Sequence, residues 1–388
     1  MKIVLKKIGK ILGIILLLVM IIAGCVIKFV VNYPEIKNEP TIGKWYRVSD
    51  KAMKDSEGGS YHALFKKGSD NKVMIYFAGG GVSVDEISAR EDTYNTKEVW
   101  PDYLANVTMN MGGLASDVEG SPFKDWTLIL FPYATGDFHS GTGEFKYTDT
   151  DGKEKILYHN GYNNYTLAMQ EIMEKAGIED ADTVLVTGYS AGGFATALLS
   201  DDIFTNYFPN AQNKNVLVDA SLIEYDGWRH VAENVWETPK EISDKLVTNN
   251  LTLDCLRSLH EKYGVGIHLM FDCSTRDGDL AKVQHSLQNG LSMQNDVDES
   301  QGDEFQETLK RNIPLFQEAG VSLFIFDGIA WYNDPRNLTA HTIISTPVVW
   351  VPFEDQGQSV AGWLQDVIDG DIRDYGLDLV NKRYEKTE

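Results

Sequence analysis

The sequence predicts a doubly wound α/β fold, with a mostly parallel sheet covered by helices on both faces. Three observations predict it. Short apolar runs rich in β-branched and aromatic residues recur along the chain, without the strict polar alternation of a one-sided sheet. Helix-period segments lie between several of them. One run turns directly into G-x-S-x-G and then into a helix-forming stretch.

Taken in order, residues 1–10 carry four lysines and no acid, and read as a basic cytoplasmic segment. Residues 11–31 read as a transmembrane anchor. Ile11 to Ile27 is an uninterrupted apolar run of 17 residues, extended beyond Lys28 by Phe29, Val30 and Val31. At about 1.5 Å per residue it just spans a hydrocarbon core of about 30 Å, with Lys28 snorkelling outward. A second reading takes Ile22-Ala23-Gly24-Cys25 as a bacterial lipoprotein box with a lipidated Cys25. A cleaved signal would want a shorter apolar core and an A-x-A-like site, which is not found. All three readings put the remainder outside the cytoplasm, at a cell membrane in the first two.

Residues 32–43, with Pro34 and Pro40, read as a linker, and 44–388 as the folded domain. Expected strands are Val73–Ala78, Trp126–Phe131, Thr183–Thr187, Asn215–Val218, Gly266–Phe271 and Val321–Phe326. Expected helices are Tyr165–Ala176, Ala191–Ser200, Lys240–Asn249 and Asp303–Glu318. The acidic stretch Asn295–Glu304 reads as a solvated loop or lid.

Composition narrows the function. With 35 Lys and Arg against 57 Asp and Glu, the formal charge is −22. Five of the lysines lie in the first 34 residues, so the remainder carries −27. A nucleic-acid partner is thereby excluded, since it needs a basic footprint. A hydrophobic content of 43% excludes general disorder. Three cysteines allow at most one internal disulfide, so apolar burial has to hold the fold.

The sharpest chemical signal is the apolar strand at Thr183 running into Gly188-Tyr-Ser190-Ala-Gly192. In a nucleophile elbow the serine sits in a strained turn, which demands small neighbours two residues either side. Ser190 is therefore the candidate nucleophile of an α/β-hydrolase-like fold. A serine needs a base and an orienting acid, in chain order Ser, Asp or Glu, His. Among the downstream histidines, His260 and His268 fall in helical and strand patterns and His230 precedes any plausible acid loop. His341 lies in a turn-rich stretch after the strand at Val321–Phe326, where the base belongs. For the acid, Asp272, Asp277 and Asp279 compete in the loop after Gly266–Phe271. An oxyanion hole would use the N–H after the nucleophile and another from an early strand end, here Val73–Ala78 followed by Gly79-Gly80-Gly81.

These motifs resemble the pectin acetylesterase and Notum family of carboxylesterases. The resemblance rests on Phe77-Ala-Gly-Gly-Gly81, Phe131-Pro-Tyr-Ala-Thr-Gly-Asp137-Phe-His-Ser-Gly141, Tyr158-His-Asn-Gly161, Gly188-Tyr-Ser-Ala-Gly-Gly193, Ser274-Thr-Arg-Asp277 and Ala340-His341-Thr342. It spans roughly Val73 to His341. It implies Ser190, Asp277 and His341 as catalytic triad, Gly80, Gly81 and Ala191 as oxyanion hole, and no metal or organic cofactor. Two departures stand out: Gly81 replaces an aromatic of the family, and only Cys255 and Cys273 lie outside the anchor where plant and animal members carry many disulfides. Those two either pair or are buried small hydrophobes. Few cysteines with a lysine-flanked anchor suggest a bacterial surface protein.

The expected function is an extracytoplasmic serine carboxylesterase removing acetyl groups from a polysaccharide. A lipid or acyl-protein deacylase, or a peptidase, on the same scaffold is the alternative among enzymes. A non-catalytic carbohydrate-binding protein, with Trp228, Trp236, Trp331 and Trp350 as sugar platforms, is the alternative outside them.

Overall fold

The structure, a computed structural model, describes residues 33–97, 112–328, 332 and 334–384. The basic segment and the anchor at 1–31, with Cys25, lie outside the described residues, as does Trp331. Among the described residues no helix is long and apolar enough to cross a membrane.

The strands are β1 (Trp45–Val48), β2 (Ala63–Lys66), β3 (Lys72–Phe77), β4 (Thr127–Phe131), β5 (Glu144–Thr148), β6 (Glu154–Tyr158), β7 (Thr183–Tyr189), β8 (Asn213–Asp219), β9 (Ile267–Ser274) and β10 (Val321–Phe326). Eight form the central sheet in the order β1-β2-β4-β3-β7-β8-β9-β10, and β5 pairs with β6 as a hairpin. The pairings β1 with β2 and β2 with β4 are antiparallel, and every pairing from β4 to β10 is parallel. In β4, β7 and β10 every residue is buried. Because successive side chains point to opposite faces, that pattern requires cover on both.

The helices are α1 (Glu86–Arg90), α2 (Gly161–Ala176), α3 (Ala191–Asn206), α4 (Trp228–Asn234), α5 (Lys240–Ser243), α6 (Leu251–Tyr263), α7 (Gly278–Asn289), α8 (Glu299–Glu318) and α9 (Val360–Ile368). Helix α3 is apolar nearly all round and packs against β3, β7 and β8. A helix of that kind belongs in the interior.

Several expectations are corrected. Only Lys240–Ser243 of the expected helix Lys240–Asn249 is helical. The carboxylate of Asp254 takes the Val247 and Thr248 N–H groups, and Asn250 caps α6 through Leu253 N–H, so the Thr-Asn-Asn stretch turns instead of continuing. The stretch Asn295–Glu304 is only partly a loop: an Asp298–Gln301 capping box starts α8 inside it. Its first turn is braced by the buried Arg276, whose guanidinium donates to Glu299 O (3.0 Å) and Gln306 Oε1 (3.2 Å) and pairs with Asp303. Cys255 and Cys273 are both free and buried, so the pairing reading fails and the small-hydrophobe reading holds. Trp228 and Trp236 lie in the core, and Trp350 is partly buried with its Nε1 donating to Gly112 O at 2.9 Å.

After β3 the chain moves to β4 on one side and then returns to β7 on the other. The carboxyl ends of β3 and β7 therefore flank a topological switch point, where α/β sheets open a crevice.

Candidate active site

Ser190 joins β7 to α3 with φ 54° and ψ −125°, a conformation costly for any residue with a side chain. The surrounding glycines allow it. A Cβ on Gly188 would stand 2.4 Å from Gly192 O, one on Gly192 2.0 Å from Phe77 O, and one on Gly193 2.1 Å from Ser221 Oγ. Strand and helix meet there closer than side chains permit, which tips Ser190 toward the crevice.

Asp277 ends the loop after β9 and caps α7, with Oδ1 accepting from Asp279 N (3.1 Å) and Leu280 N (3.0 Å). Its Oδ2 faces His341 Nδ1 at 2.7 Å. Burial pushes the Asp277 carboxyl above its ordinary value while His341 pulls it back. Three hydrogen bonds converge on it, and they hold it ionised. At His341 burial alone pushes the imidazole down, yet Asp277, with Asp279 and Asp219 beyond, outweighs it and holds the group up to about 9. The Nδ1 hydrogen points at Asp277, so in the neutral ring Nε2 is left bare as an acceptor.

The third component is the turn after β3. Gly81 has φ +80°, and a Cβ there would lie 2.0 Å from the Thr93 carbonyl oxygen. Residues 93–95 are zipped onto this turn, with Asn95 N donating to Gly80 O (2.8 Å) and Val82 N to Thr93 O (3.3 Å). That segment occupies the ground beside Gly81, so the aromatic of the family has no room here. Among the described residues the N–H groups of Gly80, Gly81 and Ala191 donate to no protein acceptor. His139 steadies the turn from behind through Nε2 to Ala78 O at 3.0 Å. Burial lowers His139 to about 4, so it is a neutral donor. Asp137 is structural: its buried carboxyl accepts from Gly141 N, Gly161 N and Thr135 Oγ1.

Ser190, Ala191, Gly80, Gly81 and His341 line one cavity of about 630 Å³. The Ser190 hydroxyl makes no hydrogen bond among the described residues, and such contacts commonly tighten only on substrate. The apolar wall is Val82, Phe138, Phe194, Ile223, Leu280, Val283 and Met293, and the charged lining besides His341 is Asp92, Asp279 and Lys282. Asp272, one of the three competing acids, is fully buried in β9 and does not line the cavity, and Asp279 lines it without the hydrogen bond to His341 that Asp277 makes. Two features escaped the sequence reading: Asp219 at the end of β8, whose Oδ2 accepts from Ile343 N and Ile344 N at 3.0 Å each, and the 92–95 segment. A charged residue closing a buried strand was the available signal for Asp219.

Comparison with known proteins places this arrangement. The family model described as pectinacetylesterase matches residues 53–261, which include Gly80, Gly81, Ser190 and Ala191. Pectin acetylesterase 4 of Arabidopsis thaliana is 28% identical over 169 residues, 42% of this chain and 39% of that protein. Two crystal forms of the Wnt deacylase Notum from Drosophila superpose with TM-scores of 0.58 and 0.53, at 16% and 15% identity, each over 88% of this chain and 96% of Notum. At that identity the likeness speaks for the α/β-hydrolase-like fold. Since the family match spans more than half of the sequence, the chain belongs to the pectinacetylesterase family.

Proposed function

We propose that this chain is an extracytoplasmic serine carboxylesterase that removes acetyl groups from a polysaccharide. The observation that carries the reading is the convergence of Ser190, the His341–Asp277 pair and three unpartnered N–H groups on one cavity. Ser190 Oγ attacks the ester carbonyl as His341 Nε2 takes its proton. The oxyanion is received by the Gly80, Gly81 and Ala191 N–H groups, and Asp277 stabilises the imidazolium. His341 then passes the proton to the departing sugar oxygen, leaving acetyl on Ser190. Water, deprotonated by His341, releases acetate and restores the serine. No metal or organic cofactor takes part.

The charge supports a neutral or well-esterified polymer: the body carries −27 and the cavity offers Lys282 against Asp92 and Asp279. The lysine-flanked apolar run at 11–31 supports single-pass anchoring with the domain outside. The buried Trp228 and Trp236 weaken the carbohydrate-binding alternative.

One observation favours a second reading. The cavity far exceeds an acetyl group and its wall is largely apolar, as a lipid or acyl-protein deacylase would need. A series of p-nitrophenyl esters decides: kcat/KM should be highest for acetate and fall gradually with chain length. A maximum at octanoate or beyond overturns the polysaccharide reading. A fluorophosphonate should label the purified protein at Ser190, and a labelled peptide elsewhere would refute the mechanism.

A further inference from the structure

Behind the proposed triad lies a second pair of acids. Asp219 closes β8 and Asp272 lies beside it as its register partner on β9. Both are fully buried. Asp219 Oδ2 is held by the Ile343 and Ile344 N–H groups, two and three residues beyond His341. The main-chain oxygen of Asp219 accepts from Ser190 N at 3.0 Å. One residue thus ties the serine turn to the histidine segment. The other oxygens are unaccounted for: among the described residues Asp219 Oδ1 and both oxygens of Asp272 receive no hydrogen from a donor, although the two carboxyls lie within hydrogen-bond reach of each other.

Two carboxylates that close, buried away from bulk solvent, cannot both be ionised. A single proton between them removes the repulsion and joins two of the three orphaned oxygens in one hydrogen bond. The two N–H groups stabilise charge on Asp219, and Asp272 has no such donor, so the proton sits on Asp272 and is donated to Asp219 Oδ1. Burial and the neighbouring charge push Asp272 in that direction, well above the carboxylate range. The other titratable groups within electrostatic reach of the pair are Tyr76 from β3, Tyr189 from β7, Cys273 on the opposite face of β9, and His341 from the site. His341 alone among them gains from a carboxylate at Asp219.

We propose that Asp219 and Asp272 share one proton, and that the Asp219 carboxylate is a positioning residue that holds the His341 segment in register with Ser190. The positioning role rests on the esterase reading above; the shared proton does not.

The test uses Asp219→Asn and Asp272→Asn, with kcat expressed per fluorophosphonate-labelled site so that misfolded protein is not counted. Asp272→Asn keeps a donor toward Asp219 and should hold kcat within about threefold. Asp219→Asn removes the charge and presents N–H toward N–H or toward Asp272. It should lower kcat about 10- to 100-fold with KM nearly unchanged, and move the acid limb of the kcat/KM profile to lower pH. A lower Tm with kcat per site and the acid limb unmoved would mean a merely structural role and overturn the proposal. Equal damage from both variants would overturn the shared proton. Independently of activity, the infrared C=O stretch of a buried carboxylic acid should persist at about pH 8 and vanish in Asp272→Asn. Its absence from the wild type would refute the shared proton, whereas a wild type unlabelled at Ser190 would refute the esterase reading and leave the infrared result standing.

Discussion

Replacing Asp277 by Asn exchanges the carboxylate facing His341 Nδ1 for a carboxamide of nearly the same shape. That carboxylate, with Asp279 and Asp219 beyond it, raises the imidazole from 6.5 to about 9 although burial works against it. The rise corresponds to about 3 kcal/mol of imidazolium stabilisation. Asp277 supplies the largest favourable part while Asp279 and Asp219 stay in the variant, so the loss is of that order. It corresponds to a rate factor of about 10² in a step that builds an imidazolium. If the carboxamide also turns its N–H₂ toward Nδ1, the ring carries its proton on Nε2 and cannot act as base, and the loss approaches about 10⁴. Folding should survive. Asn caps helices about as well as Asp, so the Oδ1 contacts to Asp279 and Leu280 are retained and stability changes by about 1 kcal/mol or less. The base works only when neutral, so wild-type kcat/KM should rise with pH through the His341 value, while the residual activity of the variant should level off at lower pH. Hydrolysis of p-nitrophenyl acetate between about pH 5 and 10, per labelled site, measures both effects. Residual activity above about a tenth of wild type at every pH would refute this assignment of the acid.

Gly81→Ala should cost about 1 to 3 kcal/mol of stability and at least about tenfold in kcat, because its Cβ meets the Thr93 carbonyl at 2.0 Å and displaces the proposed oxyanion turn; wild-type kinetics and Tm would contradict that crowding. His159 is buried, lowered to about 3 by burial, and hydrogen-bonded through Nδ1 to Thr135 O at 2.9 Å. Its folded value lies below the unfolded one, so its contribution is present above about pH 6.5 and is lost as the pH falls toward 3. In calorimetry the Tm gap between wild type and His159→Asn, which keeps a donor at the δ position, should narrow or reverse as the pH drops through that window. An alkaline phosphatase fusion after Pro34 should be active on intact cells, and activity confined to lysed cells would refute the proposed topology. Lipid incorporation lost in Cys25→Ser would replace the anchor with the lipoprotein reading.

How much of this was legible in advance follows from the range of the forces involved. The buried strands β3, β4, β7, β8, β9 and β10 and the Ser190 elbow were readable, because apolar runs and glycines two residues from the serine are local consequences of burial and steric approach. Residues with partners nearby in sequence behave that way. Local pattern failed where a distant or competing group decided: the Asp254 carboxylate cut the expected helix at Lys240–Asn249, Arg276 docked the acidic stretch as the start of a helix, and the four-residue strands β1 and β2 were too short to announce themselves. Among Asp272, Asp277 and Asp279 no spacing distinguishes Asp277, and motif resemblance was needed to single it out. Its 2.7 Å contact with His341 spans 64 residues of chain and exists only once β9 and the segment after β10 lie side by side. The 92–95 segment was invisible for the same reason, and the role of Asp219, marked in the sequence only as a charge closing an apolar strand, was hidden with it. A chain records which groups it carries, but their electrostatics depend on burial and on neighbours that the folded sheet alone brings together.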